Sequence, residues 1–372
     1  MSKLDDIINK LCPKGVEYKK LKDTVGVNRG RRLTKEQLSD EYSYEVYHGS
    51  NDTILGHYND WNAPEKTTIV VNTGGIGGVK YIDKNFWCSD GSFWLGSCKE
   101  INPKYLYYSL AGYEDYFFSK KRVGGVPTID KSVVEDFEIP VPPLEIQCEI
   151  VRILDNFTEL TAELTAELTA RKKQYEYYRD ELLTFGDNVE YKDLNELCNI
   201  SAGGDVPKEK MSKFKSEKFS VPIISNGIGE NALYGYTDKA KINKVSVTIA
   251  ARGTIGYAEY RDYPYFPVVR LISLEPKCSN VLNPKYLYYC LQGKQYNVPT
   301  TGIPQLTVPM VQKVEIPVPS LQEQRRIVSI LDRFDALCND ITSGLPAEIE
   351  YRTKQYEYYR DKLLTFKRLE EK

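Results

Sequence analysis

The chain has 372 residues, 41% of them apolar, and a formal net charge of −2. That length accommodates two or three domains with ordinary cores, and the near-neutral balance decides nothing about nucleic acid, because a basic footprint need only be local. No run of eighteen apolar residues exists, which excludes a transmembrane helix; the acidic, amphipathic opening Met1-Ser2-Lys3-Leu4-Asp5-Asp6 is not a signal peptide, so the chain reads as cytoplasmic with no membrane partner.

In chain order, residues 4–12 predict a short helix ending at the turn Pro13-Lys14-Gly15. From Val16 to about Pro143, short apolar stretches such as Thr68-Ile69-Val70-Val71 alternate with Gly, Asn and Asp, the pattern of short strands and loops. Asn102-Pro103 opens a tyrosine-rich helix to about Leu110, and Pro140, Pro142 and Pro143 close the segment. From Leu144 to Phe185 there is no Gly and no Pro, and Ile146, Ile150, Ile153, Leu154, Phe157, Leu160, Leu164 and Leu168 fall mostly three or four apart. This predicts an amphipathic helix about 60 Å long, with a stripe so narrow that it needs a partner helix. A second strand-and-loop segment, Val189 to Pro319, follows. Leu321 to Phe366 then supplies the partner, with Ile327, Ile330, Leu331, Phe334, Leu337 and Ile341 as its stripe and a kink or short break at Gly344 and Pro346.

The chain is two copies of one unit, a repeat that governs the architecture. Gln174-Tyr175-Glu176-Tyr177-Tyr178-Arg179-Asp180-Glu181-Leu182-Leu183-Thr184-Phe185 returns at Gln355–Phe366 with Lys362 as the single change. Asn102–Tyr108 returns at Asn283–Tyr289, Ile139–Pro142 at Ile316–Pro319, and Val16–Lys19 at Val189–Lys192. Within the first long helix, Thr161-Ala162-Glu163-Leu164 is followed by Thr165-Ala166-Glu167-Leu168. Each such step adds about 6 Å and overshoots one turn by about 40°. Phe334 to Tyr356 is four residues longer than Phe157 to Tyr175, so the second copy is read as carrying one extra step.

Ile316-Pro317-Val318-Pro319-Ser320-Leu321-Gln322-Glu323-Gln324-Arg325-Arg326-Ile327-Val328-Ser329-Ile330-Leu331-Asp332 resembles the proline-rich lead-in to the central helix of specificity (S) subunits of Type I restriction–modification systems. Gly302-Ile303-Pro304-Gln305-Leu306, the turn Arg252-Gly253-Thr254-Ile255-Gly256, the duplicated halves and the Thr-Ala-Glu-Leu steps resemble that family too. The first copy departs from the pattern: it keeps Gln147 but has Ile146 where the second has Glu323, and Asn72-Thr73-Gly74-Gly75-Ile76-Gly77 replaces the arginine-bearing turn. The resemblance implies an α+β fold: two similar globular target recognition domains of short strands and small helices, joined by two long antiparallel helices that form a coiled-coil spacer with a pseudo-twofold internal repeat. The segments would be 1–15, an N-terminal helical segment; 16–143, the first recognition domain; 144–186, the central spacer helix; 187–319, the second recognition domain; and 320–372, the C-terminal spacer helix. Each recognition domain would read one half of a split, asymmetric site in double-stranded DNA. The helices would set the gap and dock two modification (methyltransferase) subunits that bind S-adenosylmethionine and methylate adenine, with restriction subunits joining for cleavage.

Catalytic chemistry has little to build on. Gly74-Gly75-Ile76-Gly77-Gly78-Val79-Lys80 lacks Walker spacing and reads as a tight turn. The eight cysteines include no Cys-x-x-Cys pair and read as reduced and structural, and His48 and His57 are the only histidines. The chain is therefore expected to be non-catalytic, with no cofactor or metal of its own. Base readout favours Arg on guanine and Asn or Gln on adenine, while Lys and Arg neutralise phosphates. The candidate DNA contacts are Arg29, Arg31, Arg32, Lys120, Lys121 and Arg122 in the first copy. In the second they are Lys208, Lys210, Lys213, Lys215, Lys218, Arg252, Lys294, Gln295 and Gln305. Arg252 stands out because it adjoins a glycine turn where backbone can approach DNA. Tyr175, Tyr178, Tyr356 and Tyr359, at helical i, i+3 spacing, are expected in helix interfaces. Two other readings remain open at this point: a protein–protein scaffold with duplicated domains, and a self-contained nuclease or methylase, the latter disfavoured by the missing motifs.

Overall fold

The computed structural model describes residues 3–50, 53–122, 124–299, 302–340 and 342–369; Ile341, assigned to the second apolar stripe, lies outside them. The chain forms two compact units, Met1–Thr165 with Glu348–Lys372, and Ala166–Ala347. This differs from a linear series of five segments. The first long helix belongs to one unit at its start and to the other at its end, because its two ends bury their apolar stripes on different domains.

In the first unit, Val27–Arg29, Ser92–Leu95, Thr67–Val71 and Val79–Ile82 form an antiparallel sheet in that order. All five residues of Thr67–Val71 are buried, as expected of a central strand covered on both faces. A second sheet joins Gly56–Tyr58, Tyr44–Tyr47 and Trp87–Cys88, the last pair parallel. In the other unit, Cys198–Ala202, Leu271–Pro276, Ser246–Ala250 and Ala258–Arg261 repeat the first sheet. Met211–Ser212, Leu233–Thr237, Val221–Ile224 and Phe266–Pro267 repeat the second with one strand more. Each domain is closed by pairing its first strand with its last in the same register, Tyr18 opposite Pro140 and Tyr191 opposite Pro317.

The tyrosine-rich repeats are helices Pro103–Ala111 and Pro284–Leu291. Asn102 and Asn283 cap them, each side-chain oxygen accepting from two backbone amides. Tyrosine abundance is thereby explained as packing with a polar handle. Tyr105 and Tyr286 donate to the carbonyls of Pro140 and Pro317. Tyr108 and Tyr289 donate to Asp155 and Asp332 at 2.7 and 2.5 Å, the same carboxylates that pair with Lys104 and Lys285.

The first long helix spans Leu144–Leu182 without interruption. Its counterpart is broken into Leu321–Asn339 and Leu345–Leu364. In the break, the Asp340 carboxylate accepts from Thr342 N, Thr342 Oγ1 and Ser343 Oγ, and these hydroxyls hold its pKa down at about 2. The extra residues of the second copy thus fall in a capped turn rather than in helix. The expectation of one more helical step is corrected: Asp340 and Thr342–Gly344 lie outside both helices and add no 1.5 Å rises.

Within each unit two helical segments pack antiparallel. In the unit Ala166–Ala347, Tyr178 stacks on Phe334 at 5.8 Å, while Arg171 and Lys172 lie near Cys338. In the other, Tyr359 stacks on Phe157 at 5.4 Å, 19° from parallel. Each copy of the repeated dodecapeptide therefore seats on the domain of the opposite copy. Arg179 lies against Gly293, and Arg360 against Gly112, so close that a Cβ at either glycine would meet the guanidinium at 2.8–3.0 Å. The chain ends complete the pattern: Tyr18 Oη donates to Phe366 O as Tyr191 Oη donates to Phe185 O, and Val16 N donates to Lys367 O at 2.8 Å.

Candidate nucleic-acid interface

Both domains build the same backbone frame at one end of the main sheet. In the first, Asn72 donates its N–H to Gly91 O, and its carbonyl accepts from Ile129 N, both at 3.0 Å. In the second, Ala251 donates to Arg270 O and accepts from Leu306 N, both at 2.8 Å. The turn that follows is also shared. Gly74 and Gly77 have φ of 78° and 89°, Gly253 and Gly256 76° and 86°, and Gly77 N and Gly256 N each return at 2.9 Å to Val71 O and Ala250 O. These are left-handed positions that favour glycine. Gly30 and Gly203 press on the opposite strand end so tightly that a Cβ would lie 2.0 or 2.1 Å from Ser89 O or Val268 O.

What the frames carry is different. In the first, Thr73, Gly91 and Thr128 flank Asn72, and the cations come from neighbouring loops. Arg29 and Arg122 line one cleft of about 270 Å³ with Asp90, Asp130 and Lys131. Arg122 pairs with Asp130 at 2.7 Å, with both side chains largely in solvent, an ion pair of little energetic value. Arg31 and Arg32 follow the tight Gly30 contact and are exposed, Arg31 N donating to Cys88 O. Lys120 and Lys121 are not drawn into this cleft; they lie over the rings of Tyr116 and Phe118 of their own short helix.

In the second domain, Arg252, Arg270 and Gln305 flank Ala251. Asn226 Nδ2 donates to Arg252 O at 2.6 Å, and Thr254 Oγ1 donates to Asn226 O at 2.9 Å, which fixes the arginine's backbone. Lys208, Lys210, Lys213, Lys215 and Lys218 are exposed, with Phe214, 81% exposed, among them. Gln295 is exposed too. Lys294 is different: its Nζ donates to Glu315 O at 2.9 Å, and burial lowers its pKa, so it braces the domain's last strand. Replacing Lys294 with Met is expected to lower the thermal midpoint slightly, by the roughly 1 kcal/mol of one lost hydrogen bond, and to leave DNA recognition intact, as checked by thermal unfolding and DNA binding of the same preparation.

Sequence reasoning did not single out Lys131, Phe214 or Arg270. The equivalence of Arg270 with Gly91 comes from the shared backbone frame, not from any match between the two stretches of sequence. A cavity of about 930 Å³ in the first unit lies elsewhere, between the strand Val79–Ile82 and the long helix. It holds the Lys104–Asp155 pair and carries no motif of its own.

Residues 13–171 and 186–351 match the family described as the Type I restriction modification DNA specificity domain. A putative type I specificity subunit of Mycoplasma pneumoniae is 33% identical over 353 residues, covering 92% of this chain and 96% of that one. The Type I restriction enzyme EcoR124I/EcoR124II specificity subunit of Escherichia coli is 34% identical over 369 residues, covering 88% of each. Among solved structures, the S subunit of a Type I restriction–modification system from M. genitalium superposes with a TM-score of 0.62 at 20% identity, covering 94% of this chain and 96% of that one. That likeness bears on the fold.

Proposed function

The chain belongs to the family of Type I restriction–modification DNA specificity proteins, and from that premise we propose that its two loop frames read the two halves of one split, asymmetric DNA site. It is the DNA-recognition subunit of such a system and not itself an enzyme. In this reading it acts in the cytoplasm. The long helices set the gap between half-sites and dock two modification subunits, which hold S-adenosylmethionine and methylate adenine; restriction subunits complete the nuclease. No helix among the described residues is long and apolar enough to cross a membrane. The observation that carries the proposal is the repeated frame with unlike residues on it: Thr73, Gly91 and Thr128 in one domain, Arg252, Arg270 and Gln305 in the other. One backbone scaffold with two different sets of side chains is what reading two unlike sequences requires, since phosphate contacts position a protein and base contacts specify.

The test is long-read mapping of N6-methyladenine in cells that express the chain with its modification subunits. A split motif with two unlike halves is expected, and it disappears when this chain is deleted. A palindromic motif, or methylation indifferent to the deletion, refutes the reading. Affinity of the assembled complex should also fall linearly on a log–log plot against salt, by about 0.9 per phosphate contacted.

A further inference from the structure

We infer that Arg252 and Arg270 are the guanine readers of the second recognition domain, so that the half-site it takes contains G·C pairs at the positions they reach. This rests on the DNA-recognition reading above and adds residues and bases to it.

Three observations converge. First, the frame brings the two arginines together although they are far apart in sequence: Ala251, covalently joined to Arg252, donates to Arg270 O at 2.8 Å. Second, Arg270 holds φ of 78°, a left-handed conformation that costs an L residue with a Cβ. The twin position in the other domain is Gly91, so the fold tolerates glycine there. Arginine at such a position is strain kept for the sake of its side chain, and strain of this kind gathers at functional sites. The side chain is exposed and has no ion pair or hydrogen bond among the described residues. Third, Nε of Arg252 is buried with no acceptor among the described residues. The side chain is thus packed against the frame at Nε, and no hydrogen bond or ion pair to its guanidinium is found among the described residues, which leaves its terminal nitrogens for a ligand.

Guanine fits better than phosphate. A guanidinium fork matches O6 and N7 of guanine in the major groove, the commonest base-specific contact. Both arginines spring from the backbone frame, in which Asn226 holds the Arg252 carbonyl, whereas phosphate contacts are served equally well by the exposed lysines Lys208, Lys210 and Lys213 of the same domain. The first domain has Thr73 and Gly91 at these two positions. Its half-site is then read by other groups, and the two halves differ.

The experiment maps N6-methyladenine in cells carrying the modification subunits with the wild-type chain, Arg270→Ala, Arg270→Lys, Arg270→Gly or Arg252→Ala. The wild type is expected to show guanine in one half-site. Arg270→Ala and Arg270→Lys should each lower methylation of the cognate site roughly ten- to a hundred-fold and admit other bases at one position of that half, with the other half unchanged. Arg252→Ala should relax a position in the same half. Arg270→Gly separates reading from folding: it should lose recognition as alanine does while raising the thermal midpoint, since glycine removes the left-handed strain. A half-site without guanine, or a uniform loss at every sequence with an unaltered motif, overturns the assignment, the latter by making these arginines phosphate contacts. Methylation unaffected by deleting the whole chain instead removes the recognition reading on which the assignment rests.

Discussion

Replacing Gln324 with Ala is expected to destabilise the protein by about 3–5 kcal/mol, as urea or thermal unfolding would register. The side chain is fully buried, and its three hydrogen bonds all go to backbone. Oε1 accepts from Asn283 N at 2.8 Å, while Nε2 donates to Val281 O and Pro319 O, both at 2.9 Å. One amide therefore ties the cap of the tyrosine helix, the loop before it and the proline lead-in to the first turn of Leu321–Asn339. Alanine leaves one backbone donor and two backbone acceptors, all in part-buried bonds, without their partner, at about 1 kcal/mol or more each, and empties the buried space of the side chain. Gln147 makes the same three bonds in the other unit, to Asn102 N, Glu100 O and Pro142 O, so Gln147→Ala should cost a similar amount. Ser329→Ala, on the exposed face of the same helix, should stay within about 0.5 kcal/mol of wild type. Equal stability of Gln324→Ala and Ser329→Ala would show that the clamp is not what joins recognition domain to helix.

This clamp also shows how far the sequence could be read. Gln147 and Gln324 were visible as a shared residue of the two proline lead-ins, but nothing local says that their amides reach back to the tyrosine helices. The same holds elsewhere. Periodicity marked Leu144–Leu182 as a helix because helix period is a local property, and Pro346 with Gly344 marked the break. Which helix meets which is a long-range matter. That Tyr178 seats on Phe334, and Tyr359 on Phe157, is invisible when two copies of a dodecapeptide are nearly identical, since either could pair with either helix start. At the candidate interface, Arg252 adjoins a glycine turn that is visible in the sequence, whereas Arg270 sits in Val269-Arg270-Leu271 and looks like an ordinary strand residue. Its left-handed backbone, φ of 78°, leaves no local mark in the sequence. Lys294 was misjudged for the opposite reason: a lysine beside Gly293 reads as a loop cation, but Glu315 O lies across the fold to receive it.

Deleting Thr165–Leu168 is expected to narrow the gap between methylated half-sites by about two base pairs while leaving both half-site sequences unchanged. The chain passes between its compact units twice, inside Leu144–Leu182 and inside Leu345–Leu364. On the first passage the helix is continuous, and its Thr hydroxyls bond back to carbonyls one turn earlier, Thr161 to Phe157 O at 2.9 Å and Thr165 to Thr161 O at 2.7 Å, so it behaves as a rod. Its two ends are fixed in different units, Phe157 against Tyr359 and Tyr178 against Phe334. Removing four residues keeps leucine at every fourth position, shortens the rod by about 6 Å and turns its ends by about 40°. Six ångströms is nearly two base pairs, because about ten span roughly 34 Å. The second passage, inside Leu345–Leu364, can follow, since the non-helical turn around Asp340 just before that helix can absorb the shift. That turn supplies the contrasting arm: a Thr-Ala-Glu-Leu insertion after Thr342 should leave the gap as it is, because residues added to a capped turn contribute no helical rise. Methylome mapping reads both variants. A gap that moves with the turn insertion and not with the helix deletion would mean that the uninterrupted helix is not the ruler.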